Sequence, residues 1–224
     1  MNKQTGFTLI ELAIVLVIIG LLLGGVLKGQ ELINSAKVKN MASDFRNAQI
    51  YIYGYQDRFH ALPGDDWSAA THVAGATNAT IGTQNGVIQG NWNTATDGDE
   101  SCVFWQHVRL AGYAPGTTAV SCAAGNTYQP RNADGGQFGV QSVSGFTTIA
   151  TNAAGTAGTG LTGGYVACSA GILGKFAKQL DTAMDDGNTD AGAMRVTDAA
   201  GASGTSIATA GVNDSTTYIV CLGF

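Results

Sequence analysis

The sequence predicts an α+β fold: one long N-terminal helix, apolar all round in its first half and one-sided in its second, packed on a small β-sheet with short extra helices. Three observations carry that expectation. Phe7 to Leu27 is almost unbroken apolar sequence, Val38 to Phe59 repeats apolar residues at steps of three and four, and after Pro63 short β-branched and aromatic segments alternate with Gly, Asn and Asp. At 224 residues the chain can bury one sizeable core, and with the apolar arm set aside a single domain of ordinary size is left.

The apolar run would form about 32 Å of helix, enough to cross a hydrocarbon core, with Gly20, Gly24 and Gly25 softening its second half. It carries one carboxylate, Glu11. A carboxylate near the middle of a bilayer costs about 3 kcal/mol on insertion scales, and Lys3 and Lys28 both lie more than a helical turn away. The position therefore asks for a partner from elsewhere. A secretory signal peptide or a plain anchor is the simplest alternative. Against a cleaved signal stand the five-residue leader "MNKQT", the lack of an A-x-A-like site after the run, and its unbroken passage into a polar helical pattern.

In that continuation Val38, Met41, Phe45, Ala48, Ile52, Tyr55 and Phe59 form one stripe, while Lys37, Lys39, Asp44, Arg46 and Asp57 occupy other faces. The helix is expected from Phe7 to about Phe59. "ALPGDDW" ends it, because Pro63 disfavours helix at Leu62 and Pro63-Gly64 favours a turn. Beyond it, "GVIQGNW", "QFGVQSVSGFTTIAT", "GGYVACS" and "TTYIVCLGF" read as strands. "SCVFWQHVRLAGY" reads as a short helix with Ser101 as N-cap and Gly112 as stop. "AGILGKFAKQLDTAMDDG" reads as another, with Ile172, Phe176, Leu180 and Met184 at steps of four and Gly187 as stop. The low-complexity segment "NAAGTAGTGLTGG" is expected to be exposed.

Only 12% of residues are charged and Gly is abundant, a composition that suits an extracellular, loop-rich surface better than a cytosolic enzyme. From Ala61 onward five Lys or Arg face twelve Asp or Glu, so this part is acidic and lacks the basic stripe that phosphate binding needs. Nucleic acid is disfavoured as a partner.

The stretch "KQTGFTLIELAIVLVIIGLLLG" resembles the N-terminal signature of type IV prepilins and the pseudopilins of type II secretion: a short basic leader, Gly, Phe, then Thr-Leu-Ile-Glu opening an apolar run. The resemblance covers about residues 1 to 59. It implies a leader, 1–6, cut after Gly6 by a prepilin peptidase that methylates the new amine of Phe7. It also implies a filament-forming helix, 7–59, and a pilin-like head, 60–224, with an antiparallel sheet. Glu11 matches the family's characteristic acid, and the implied role is pairing with the Phe7 ammonium of a neighbouring subunit, where a buried pair specifies register. Implied partners are the peptidase, other pilin or pseudopilin subunits and an inner-membrane assembly platform. The implied location is a single-pass inner-membrane protein that moves into a surface pilus or periplasmic pseudopilus. Many relatives carry a helix-breaking Pro near the position of Lys28. This chain has Gly24, Gly25 and Gly29 there, where local melting is conceivable.

Four cysteines, Cys102, Cys122, Cys168 and Cys221, suit disulfides in an oxidising compartment, and three connectivities exist. Cys102 with Cys122 would bracket one helix and loop. Cys168 with Cys221 resembles the C-terminal disulfide loop of many pilins, and this pairing is favoured. Zinc is disfavoured, since no C-x-x-C or H-x-x-x-H spacing occurs and His60, His72 and His107 are scattered. "GTQNGVIQGN" has the cadence of a calcium loop, yet Ile81, Thr83 and Asn85 stand where acids belong. Asp97, Asp99 and Glu100 cluster, as do Asp185, Asp186 and Asp190, and both read first as solvated turns. Because some major pseudopilins bind calcium, the second cluster is a weak calcium candidate; no other cofactor is expected. No G-x-S-x-G, Walker loop or dinucleotide fingerprint appears, so no enzyme is expected. The leading reading is a structural filament subunit. A filament-displayed adhesin or binding pilin, and a plain membrane-anchored periplasmic domain, are the alternatives.

Overall fold

A computed structural model of the 224-residue chain describes residues 9–82, 84–123, 127–156, 159–201 and 204–224. It divides into two compact units, one running up to Lys37 and one from Val38 to Phe224, and each is treated by itself. One helix, α1 (Leu9–Phe59), contributes to both. The helix is unbroken across Gly20, Gly24, Gly25 and Gly29, so no melted turn occurs at the glycines. It ends where the sequence says it should: His60 adopts φ 54° and still donates its N–H to Gln56, a left-handed cap, and Pro63 follows.

The second unit contains the short helix α2 (Ala69–His72), α3 (Glu100–Leu110), strands β1 (Phe138–Ser142) and β2 (Tyr165–Leu173), helix α4 (Gly174–Met184), then β3 (Met194–Asp198) and β4 (Thr217–Gly223). The strands form one sheet in the order β1-β2-β4-β3, antiparallel at every pairing. This is the α+β, pilin-like arrangement expected, a long helix packed on a small antiparallel sheet with two disulfides.

Successive residues of a strand point to opposite faces, and both faces of this sheet are covered. Toward α1, Val140, Ala167, Val220 and Leu222 join Val38, Met41, Phe45, Ala48 and Ile52 of the helix stripe, with Trp105 and Phe138 between them. Phe45 meets Phe138 edge-on, ring centroids 5.4 Å apart. Each large apolar side chain so buried contributes about 1.5–3 kcal/mol, which is why this half of α1 needs no help from helix propensity. On the other face Val166, Cys168, Ile219 and Cys221 pack with Trp92, Ile149 and Leu161.

Four local expectations need correction. "GVIQGNW" is not a strand. It crosses β1, exchanging only the Ile88 and Ser142 groups with it, and Trp92 donates its N–H to the Gln141 side chain. Its carbonyl comes so near Gly139 that a Cβ there would lie 1.8 Å from the Trp92 oxygen, so only glycine fits. Of "QFGVQSVSGFTTIAT", only Phe138–Ser142 is strand. The α4 pattern also starts too early, because Ile172 belongs to β2 and the strand passes into the helix at Gly174 with no intervening loop. The N-cap of α3 is Asp99; Ser101 lies inside the helix and donates its hydroxyl to the Asn91 carbonyl. Strand β3 was not foreseen, since Arg195 near its start disguises it. In the low-complexity segment Ala153 to Thr156 are exposed, but Leu161 is buried.

Candidate functional site

The N-terminal half of α1 is the most unusual surface of the chain. From Leu9 to Leu27 every large apolar side chain is exposed, from 46% at Ile19 to 89% at Leu9, and an 18-residue window reaches mean hydropathy 2.8 with none of it buried. By length and composition this helix can cross a membrane. A Cβ added at Gly20, Gly24, Gly25 or Gly29 would meet nothing within 4 Å, so the glycines leave flat ground on that surface. Glu11 lies in the first described turn of α1. Lys28 and Glu31 form a 2.7 Å ion pair just past the apolar run, both largely exposed and so of small energetic weight. Gly6 and Phe7, the expected processing residues, lie outside the described residues.

Residues 1–27 match the family described as the prokaryotic N-terminal methylation motif. The chain carries the type IV pilin and pseudopilin signature. Comparison with curated proteins and with solved structures finds no match. The signature implies processing by a prepilin peptidase and assembly with other pilins, and with the apolar helix it fits a membrane-anchored protein before assembly.

In the head of this pilin-like chain, the polar residues after α1 tie the turn down. Asp66, fully buried, accepts from the Tyr55 hydroxyl at 2.8 Å and the Ser68 N–H at 2.9 Å, and pairs with His72 Nδ1 at 2.6 Å. His107 Nδ1 accepts from the Gly64 N–H at 3.0 Å, so its Nε2 carries the proton and donates to the Thr77 carbonyl at 2.7 Å. Burial lowers its pKa and keeps it neutral. His107 thus holds backbone in place, and His72 anchors the Asp66 carboxylate.

The acidic clusters read from the sequence come apart in space. Asp97 accepts from the Cys122 N–H and Asp99 from the Thr94 hydroxyl, while Glu100 turns inward. Asp185 accepts from the Met194 N–H, Asp186 from Asn188, and Asp190 from Ala153 and Ser206, three separate turn contacts. No group of three or more His, Cys, Asp or Glu able to hold a metal ion forms among the described residues. Sequence reading missed a different pair. Asp65 and Glu100 are each 1% exposed; Asp65 accepts from the Gly86 N–H and Glu100 from the Gln89 N–H, both at 2.7 Å. Asp65 Oδ1 and Glu100 Oε1 are buried with no donor. Burial, with Asp65 beside it, pushes the Glu100 carboxyl up to about 7.

The disulfides join Cys102 to Cys122 and Cys168 to Cys221. The first fastens α3 to the following loop. The second links directly opposed residues of β2 and β4.

Proposed function

We propose that this chain is a structural subunit of a type IV pilus or pseudopilus, assembling through the N-terminal half of α1, with Glu11 pairing to the Phe7 amine of a neighbouring subunit. The observation that carries this reading is the position of the signature: it is continuous with an exposed apolar run, Leu9 to Leu27, whose one acid, Glu11, sits in the first described turn. Such a surface is stable in lipid before assembly and in a helix bundle after it. Water suits it in neither state. A carboxylate kept in that run costs about 3 kcal/mol in a bilayer, so leaving the membrane for a bundle with a cationic partner becomes favourable. The resident partners are then the peptidase, sister subunits and an inner-membrane platform. The head is a packed structural body and not an enzyme. Its net acidity counts against nucleic acid as cargo.

The test is Glu11→Ala in the native host. Processing, membrane insertion and the head's disulfides should be normal while the sheared filament fraction falls, because the Phe7 ammonium of a neighbour loses its partner at a cost of about 3–5 kcal/mol. Glu11→Gln should fall between. Incorporation of Glu11→Ala into sheared filaments at the wild-type level would overturn the pairing and favour a plain membrane anchor.

A further inference from the structure

A cavity of about 460 Å³ lies in the second unit, between α1, α3 and β1, within the roughly 300–1,000 Å³ range of small-ligand sites. Its apolar lining is aromatic: Tyr51 from α1, Trp105 from α3 and Phe138 from β1, with Tyr51 and Phe138 both edge-on to the indole. Its polar lining carries both signs, Asp44 against Arg109 and Arg131. Of the five Lys or Arg after Ala61, two line this one cavity of an otherwise acidic head.

Two of these groups have unmet demands. The Arg109 guanidinium is fixed by the carbonyls of Pro115, Thr117 and Tyr128 and lies over the Trp105 and Tyr128 rings at 5.6 and 4.6 Å. Gly116 makes this possible: at φ 126° it brings the loop so close that a Cβ would stand 2.7 Å from Arg109 Nε. Carbonyls solvate that charge but do not neutralise it, and no carboxylate pairs with it among the described residues. Trp105 is 1% exposed, and its indole N–H has no acceptor among the described residues. The second cation, Arg131, is exposed at the rim and spends one nitrogen on the Gly135 carbonyl.

We infer that this cavity binds a sugar residue bearing a carboxylate, as in a uronic acid. A pyranose presents an apolar face for the half-buried Tyr51 ring and hydroxyls that Asp44 can accept. Its carboxylate meets the rim Arg131 fork beside the unneutralised Arg109. A fatty chain would strand three charges, and a polyphosphate would face Asp44. The site lies wholly within the unit from Val38 to Phe224, clear of the apolar run Leu9 to Leu27.

The experiment uses the processed full-length chain in a zwitterionic, sugar-free detergent, titrated with a hyaluronan tetrasaccharide as the glucuronate probe. Chitotetraose serves as a neutral probe and an Asp-containing tetrapeptide as a non-sugar acid. Saturable glucuronate binding is expected, at least about tenfold tighter than to either control. Arg131→Ala and Asp44→Asn should each weaken it about tenfold, with the melting midpoint not lowered because neither removes packed ring area. Glu11→Ala should bind as wild type. No saturable binding by about 10 mM, equal affinity for the neutral sugar or the peptide, or wild-type affinity in both cavity variants would each overturn the assignment.

Discussion

Asp65 and Glu100, from the turn after α1 and the start of α3, bury a carboxyl each, and each has one oxygen on a backbone amide and one with no donor. A shared proton is the simplest way to satisfy both. Glu100, raised from 4.5 to about 7 in the folded head, stabilises the fold fully below pH 4.5 and loses that contribution as pH rises through 7. Thermal stability of the full chain in detergent should therefore fall between about pH 4.5 and 7, by at most about 1.4 kcal/mol per unit from this group, and level off above. Asp44 and Asp181, raised to about 6, act in the same direction at lower pH. Glu100→Gln supplies a permanent donor to Asp65 and should flatten the slope between about pH 4.5 and 7. An unchanged slope in that variant would refute the shared proton.

The helix stripe should dominate head stability. Phe45→Ala removes a fully buried ring set edge-on to Phe138 and is expected to cost about 3–5 kcal/mol in urea unfolding. Ile50→Ala, on the 58% exposed side of the same helix, should stay within about 0.5 kcal/mol. Similar losses at both positions would mean the stripe does not face the core.

The disulfides close loops of different length, with sequence separations of 20 and 53. On the chain-entropy account, replacing both cysteines by Ser should cost about 3 kcal/mol for Cys102–Cys122 and about 4 kcal/mol for Cys168–Cys221. Non-reducing peptide mapping checks the pairing directly, and a crossed peptide pair would contradict the fold described.

Processing should depend on Gly6. Gly6→Val places a branched side chain where the peptidase closes on the backbone, so the chain is expected to keep Met1 by intact mass, whereas Gly6→Ala should be cut. A wild-type chain still beginning at Met1 in cells with active peptidase would refute cleavage at that bond.

What could be read in advance was what the chain repeats locally. Val38, Met41, Phe45, Ala48, Ile52 and Tyr55 announce their shared face by spacing alone, and all are buried. The end of α1 was legible from Pro63 because the constraint is covalent. Ile172 misleads for the opposite reason: its step of four to Phe176 is real, but β2 runs straight into α4, and spacing cannot mark a boundary without a turn. Strand β3 was hidden by Arg195, which satisfies its guanidinium on the carbonyls of Gly192 and Thr159 in a largely buried position. The Asp65–Glu100 pair and the cavity around Trp105 are assembled from distant segments, and nothing in either segment alone advertises the other.

The link between Cys168 and Cys221 also has a mechanical meaning. It joins residues that face each other across the central strand pair, so a pull on the chain cannot shear β4 away from β2. The stretch between the two cysteines is withheld from extension, which shortens the length an unravelling head can give up by roughly 180 Å. A subunit built this way answers tension by staying short.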